Sequence, residues 1–298
     1  MGKAAANDEA EKLMSFLELV IGRVNSRVGV LDICRQDEVE WMVAEEHEAL
    51  SHDGTLLRYS RIGAGPALIF IHGSIDTSAS WLEVAQLLSR QVMSYLYDRR
   101  NHGENYSLQK EVEDVDAILN VAGSEATLFG HSYGAIIALQ AAMQKQPSRL
   151  VLYDPPLPVG GAVARSQLNE FKSLIDVGAL DEALAFGLTH FVGLDPTMVA
   201  TMRRKTNWSM LTKQARGWLQ EIQEVEALGP SLTRYVGLKS KTLILVGTES
   251  ADHPLKDAAQ TLAATLSDAQ ISWLQGQGHR AHKLAPRMVA DMVGRFLR

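Results

Sequence analysis

The sequence predicts an α/β protein: a mainly parallel central sheet with helices on both faces, interrupted by a helical insertion and preceded by a helical extension. Three observations carry that prediction. Apolar runs of strand length alternate with amphipathic helical patterns, the signature of parallel strands joined by crossover helices. One such run, Ala126 to Phe129, ends in Gly130-His131-Ser132-Tyr133-Gly134 and passes straight into the helical stretch Ile136 to Ala142. Between residues 157 and 238 the alternation stops, and only helical patterns and loops occur.

Taken in order, residues 9–31 place Leu13, Phe16, Leu17, Val20, Ile21, Val24 and Val28 at helical spacing. That apolar stripe is expected to pack on its own domain. A homodimer contact and a lid over the site mouth are the alternatives. The acidic stretch Asp37 to Glu48 reads as a second short helix. Residues 48–62 read as a strand pair about the turn signal Asp53-Gly54. The continuous apolar run Ala67 to Ile71 marks a central strand covered on both faces, and it ends in His72-Gly73-Ser74. A helix over 79–90, a strand over 92–97 and a helix over 108–122 follow. After the serine motif and its helix, Arg149 to Tyr153 is another buried strand, ending at Asp154-Pro155-Pro156. Beyond the insertion, alternation resumes with a strand at Thr242 to Val246, a helix over 254–266, a strand at Ile271 to Leu274 and a last helix over 284–297. The expected division is a helical extension (1–45), a core in two pieces (46–156 and 239–298) and a helical cap (157–238).

Composition narrows the function. The 298 residues are 46% hydrophobic, enough for one large core. A net charge of −6 with no basic patch argues against a nucleic-acid partner. Cys34 is the single cysteine, so no intrachain disulfide forms, a Cys-ligated metal site is not expected, and the side chain reads as a small buried hydrophobe. No apolar run is long enough to cross a bilayer. The first residues lack a signal-peptide core, and Met-Gly-Lys with Ala6 misses the myristoylation pattern. The expectation is a cytoplasmic protein with no membrane partner, no metal and no cofactor, acting on a small-molecule substrate.

A strand, a sharp turn with serine at its tip and a helix make a nucleophile elbow. Glycines at 130 and 134 suit it because side chains there would collide with the neighbouring strand or helix. Ser132 is lifted clear of the sheet, and the Tyr133 amide, at the helix start, points into the same space.

Several motifs in order then match a known family. His72-Gly73, Asp98-x-Arg100-x-His102-Gly103, Gly130-His131-Ser132-Tyr133-Gly134 and Gly276-x-Gly278-His279 make the chain resemble the α/β-hydrolase superfamily from residue 45 onward. Asn101 stands where that family usually has glycine, and Asn is the side chain that best tolerates a left-handed turn. The Tyr-Asp-Arg-Arg and Gly-Gln-Gly-His wording is similar to a bacterial branch assigned mostly as hydrolases. The resemblance implies the α/β-hydrolase fold and a serine nucleophile, and so not the aspartate-nucleophile epoxide hydrolases or haloalkane dehalogenases. It implies Ser132 as nucleophile and His279 as base. The acid is open: Asp252 ranks first, Asp154 second and Glu249 third, because the family's usual spacing lands on Ser250. Amides of Ser74 and Tyr133 would form the oxyanion hole. His282 is expected to face away from the site, with His131 and His102 bonded to backbone near their turns. Trp, Phe, Met and Leu in the insertion point to a mainly apolar substrate. The expected activity is acyl transfer on a carboxylic ester, lactone or thioester. The alternatives are carbon–carbon bond hydrolysis, perhydrolysis or a cofactor-free lyase reaction on the same scaffold, or a catalytically weak ligand-binding protein.

Overall fold

Eight strands form one sheet in the order β1-β2-β4-β3-β5-β6-β7-β8. They are β1 (Glu45–Leu50), β2 (Leu56–Gly63), β3 (Ala67–Ile71), β4 (Met93–Tyr97), β5 (Thr127–His131), β6 (Arg149–Tyr153), β7 (Lys241–Gly247) and β8 (Ala269–Leu274). The computed structural model describes residues 45–298 apart from Asn101, Glu104 and Asn207. The expected helix over 9–31, Cys34, most of the acidic stretch before Glu45, and the Asn101 turn therefore lie outside the described residues. β2 runs antiparallel to both β1 and β4, and the other neighbours are parallel.

The parallel strands have period-2 side chains and both faces covered, so each run reads as wholly apolar. Leu68, Phe70, Phe129, Val151, Leu243 and Leu245 enter one cluster with Trp81, Val84, Val289 and Val293. Ile69, Ile71, Leu128, Leu150, Leu152 and Ile244 enter another with Ile118, Ile136 and Leu262. The covering helices are α1 (Leu82–Leu88), α2 (Leu108–Ala122), α3 (Tyr133–Lys145) and, after the insertion, α9 (Asp257–Thr265), α10 (Ala281–Leu284) and α11 (Pro286–Leu297). Between β6 and β7 lie α4 (Leu168–Asp176), α5 (Leu180–His190), α6 (Pro196–Arg203), α7 (Trp208–Thr212) and α8 (Ala215–Ala227). These five pack around a cluster of their own that includes Phe171, Leu184, Trp208, Trp218 and Ile222. Among the described residues no helix is long and apolar enough to cross a membrane.

Three expectations shift. The acidic stretch expected as helix up to Glu48 is strand from Glu45, because its period is two: Glu46, Glu48 and Leu50 face solvent while Ala49 is buried. The helix expected over 79–90 begins as a tight turn at Ser78–Trp81 and is α-helical only over α1. The last helix is broken at Ala285, whose φ of −141° follows from the proline after it.

Candidate active site

β5 ends at His131 and α3 begins at Tyr133, so Ser132 alone makes the turn. Its φ of 54° and ψ of −125° are costly for a residue with a side chain and persist only where the surroundings enforce them. They do. The Ser132 amide donates to Tyr153 O at 2.9 Å, tying the turn to the end of β6. A Cβ on Gly134 would stand 2.1 Å from Ile71 O, and one on Gly130 would stand 2.3 Å from Gly134 O. Strand and helix therefore approach this corner closer than any side chain permits. Tyr133, first in its helix, has an amide with no intrahelical acceptor, at the positive end of the helix dipole.

His279, on the loop after β8, donates from Nδ1 to Asp154 Oδ2 at 3.0 Å. A carboxylate can only accept, so the proton sits on Nδ1 and the Nε2 lone pair is left free. Asp154 follows β6 directly, is fully buried and has φ 47°. Ser250 Oγ donates to its Oδ2 at 2.6 Å and the Gly247 amide to its Oδ1 at 3.4 Å. Of the three candidate carboxylates, the second-ranked Asp154 is the one that meets His279. The Asp252 side chain is 89% exposed and pairs with Lys256 at 2.9 Å, so it does not hold His279. Glu249 is exposed as well. Ser250, where the expected spacing lands, supports the carboxylate supplied by the neighbouring strand.

The loop after β3 packs on the serine: a Cβ on Gly73 would lie 2.9 Å from Ser132 Cβ. Ser74 lines the same cavity as Ser132, Tyr133 and His279. Next to it, Ile75 holds φ 51°, a strained conformation for a β-branched residue. Arg99 pins this loop from behind, donating from Nη1 to Gly73 O at 3.2 Å and His72 O at 3.4 Å. Its Nη2 donates to Glu111 Oε1 at 2.6 Å and to Glu221 Oε1, on α8 of the insertion, at 2.5 Å. Sequence reasoning missed both Arg99 and Glu221. Arg100 was read as the motif arginine, yet it pairs outward with Asp53 and Asp114. The signal for Glu221 was a carboxylate on the apolar stripe Trp218, Ile222 and Val225.

The other histidines also depart from expectation. His282 does not face away: it is buried, stacks on Trp81 at 4.4 Å and lines the cavity. His131 Nε2 donates to the carbonyl of His279 at 2.9 Å, steadying the loop after β8 rather than its own turn. His102 Nε2 donates to Glu221 Oε1 at 3.0 Å, a side chain of the insertion instead of nearby backbone. Burial pushes the pKa of His131 down and that of His282 down to about 4, so both rings are neutral. Two groups of ligand-type side chains lie close together, Asp76-His131-His282 and His102-Glu111-Glu221. In the first, the Lys283 ammonium sits on Asp76 at 2.9 Å. In the second, the Arg99 guanidinium already takes the cation's place between the two glutamates.

The cavity measures about 580 Å³, within the range of small-molecule sites. Ser132, His279 and Ser74 line it together, among other polar side chains that include Gln214 and Glu221. Leu188, Phe191, Met202, Leu211, Trp218 and Ile222 of the insertion contribute apolar wall. The model of the alpha/beta hydrolase family matches residues 68–292, from β3 into the last helix. The chain belongs to the alpha/beta hydrolase family. This alpha/beta hydrolase is 26% identical over 278 residues to an uncharacterized protein of Mycobacterium tuberculosis, covering 79% of this chain and 76% of that one. It is 34% identical over 119 residues to an N-formylmaleamate deformylase of Pseudomonas putida, covering 36% of this chain and 44% of that enzyme. Among solved structures, an alpha/beta hydrolase from Sphaerobacter thermophilus superposes with a TM-score of 0.73 at 27% identity, covering 85% of this chain and all of that one.

Proposed function

We propose that this alpha/beta hydrolase is a serine hydrolase that cleaves a small to medium, mainly apolar carboxylic ester, lactone or thioester through an acyl-enzyme. The observation that carries the reading is the 3.0 Å bond from His279 Nδ1 to the buried Asp154, in the cavity that Ser132 faces. A serine hydroxyl is a weak nucleophile until a base takes its proton. In the proposed reaction Ser132 Oγ attacks the substrate carbonyl while His279 Nε2 receives the hydroxyl proton. Asp154 holds the imidazole in the required tautomer and stabilises the imidazolium. The Tyr133 and Ser74 amides donate to the developing oxyanion, each worth on the order of 3 kcal/mol in the transition state. His279 returns its proton to the leaving group, and the same steps with water release the acid. The insertion serves as the cap, with its apolar wall selecting the acyl or alcohol chain.

Hydrolysis of p-nitrophenyl esters of graded chain length tests this. Activity is expected for short to medium chains and is expected to vanish in Ser132→Ala. Hydrolysis that survives Ser132→Ala at the wild-type rate would overturn the proposal.

A further inference from the structure

The polar network behind the cavity leaves one oxygen unaccounted for. Arg99, Glu111 and Glu221 are all buried, one guanidinium against two carboxylates. Three of the four carboxylate oxygens are satisfied. Glu111 Oε1 accepts from Arg99 Nη2 and from the Tyr106 hydroxyl at 3.1 Å, and Glu111 Oε2 accepts from Arg99 Nε at 3.3 Å. Glu221 Oε1 accepts from Arg99 Nη2 and His102 Nε2. Glu221 Oε2 is buried and accepts no hydrogen bond of good geometry among the described residues, the Ser74 hydroxyl being near enough only to help stabilise the carboxylate. Burial favours the neutral acid, but Arg99 foremost, with His102 and Ser74, outweighs it and brings Glu221 down to about 2. The side chain is therefore ionised. Buried polar atoms are nearly always paired, and an orphaned carboxylate oxygen is costly.

Glu221 is also a wall residue of the cavity, close to Ser74 and one turn from both Trp218 and Val225 on the same helix face. The side chain that carries the uncommitted oxygen is thus part of the cavity wall, and the network behind it is one positive charge short. Gly217, one turn earlier, makes room for this arrangement: a Cβ there would stand 2.4 Å from the His102 ring.

We infer that Glu221 is a specificity-determining residue that binds a hydrogen-bond donor on the substrate, a protonated amine above all, in a pocket whose neighbouring wall from the insertion is largely apolar. This inference rests on the serine-hydrolase reading of the same cavity and names the polar feature its substrate carries. An ammonium supplies both the missing donor and the missing positive charge, and charge-assisted bonds of this kind are the strong ones. An aliphatic group of the same length leaves the oxygen unpaired.

The test compares two isosteric esters, p-nitrophenyl 6-aminohexanoate and p-nitrophenyl heptanoate. Glu221→Gln retains an acceptor for Arg99 and His102 but replaces the free oxygen with an amide donor and removes the charge. The ratio of kcat/KM, amino ester over heptanoate, is expected to fall at least about tenfold from wild type to Glu221→Gln. A ratio unchanged within about twofold overturns the inference while leaving the hydrolase reading intact. A binding measurement removes dependence on catalysis. By calorimetry, hexylammonium is expected to bind Ser132→Ala at least about tenfold more tightly than it binds the Ser132→Ala, Glu221→Gln double variant. Equal affinities overturn the inference. Should Glu221→Gln fail to fold, wild type is compared with Asp252→Asn, since that exposed carboxylate also lines the cavity, and the preference below is expected in both. Hexylammonium is expected to bind each at least about tenfold more tightly than hexanoate by the same calorimetry, and the reverse order in either overturns the inference. Tighter binding to Ser132→Ala than to the double variant, with no ester hydrolysis by wild type, would count against the hydrolase reading and for Glu221.

Discussion

Replacing Asp154 with Asn probes the proposed acid with little disturbance of the fold. Asp154 sits at φ 47°, and Asn is the side chain that best tolerates that region, so the backbone survives the change. The hydrogen bonds do not. Oδ2 accepts from both His279 Nδ1 and Ser250 Oγ, and Oδ1 accepts from the Gly247 amide. An amide offers one acceptor in place of two. If its NH2 faces His279, Nδ1 must become the acceptor and the proton moves to Nε2, where it blocks the base. If the amide turns over, its NH2 opposes the Gly247 amide instead. The wrong tautomer in a serine-histidine-aspartate site costs about 10,000-fold in kcat, or about 5.4 kcal/mol of barrier. The assay is p-nitrophenyl butyrate turnover by Asp154→Asn, Asp252→Asn and wild type, with circular dichroism to confirm folding. The expected pattern is a loss of three to four orders of magnitude in the first, on the order of the cited tautomer penalty. Asp252→Asn, at an exposed position, is expected to stay within about twofold of wild type. A folded Asp154→Asn that keeps more than about a tenth of wild-type kcat, or an Asp252→Asn that loses as much, would refute the reasoning.

Other consequences follow from the buried charges and the tight corner. Arg99→Ala leaves Glu111 and Glu221 buried without their counter-ion, so urea denaturation should show a loss of about 3–5 kcal/mol. Gly134→Ala places a Cβ against Ile71 O and should cost on the order of 3 kcal/mol or prevent folding, as read by thermal melting. Stability should also fall in acid. Burial lowers the pKa of His72, His131 and His282, so the unfolded chain takes up protons first as pH drops. This contribution is fully present above pH 6.5 and is lost progressively as pH falls toward 4. The share of His282, from 6.5 to about 4, is about 3 kcal/mol at 1.36 kcal/mol per tenfold change in proton affinity. Denaturation midpoints at pH 7.5 and 4.5 check it, and a flat or rising midpoint on acidification contradicts it.

The sheet was legible because its strands are short apolar runs punctuated by glycine and proline, and the elbow because its glycines are dictated by contact. Ser132 and His279 could be picked out because each sits in a local motif. The carboxylate could not be read in the same way. Its position depends on how β6 and β7 end side by side, a long-range pairing that places Asp154 and Ser250 at one point although 96 residues separate them. The usual spacing landed on Ser250, and Asp252, the acidic residue ranked first beside it, is turned out to solvent. Glu221 posed the same difficulty from the other side. On a helical wheel it is a stray charge on an apolar face, and its meaning appears only when α8 lies over Arg99. The ring of His282 was misjudged because a short helix begins at Ala281, ahead of the expected start at 284, and His282 lies within it, stacked on Trp81.

The most direct test of an activated serine is its labelling by a fluorophosphonate, followed by mass spectrometry of the peptide carrying residues 126–146. One adduct per chain on Ser132 is expected in wild type, none in Ser132→Ala, and labelling slowed by orders of magnitude in His279→Ala. A folded wild-type protein that stays unlabelled, or labels at another residue, would contradict the account.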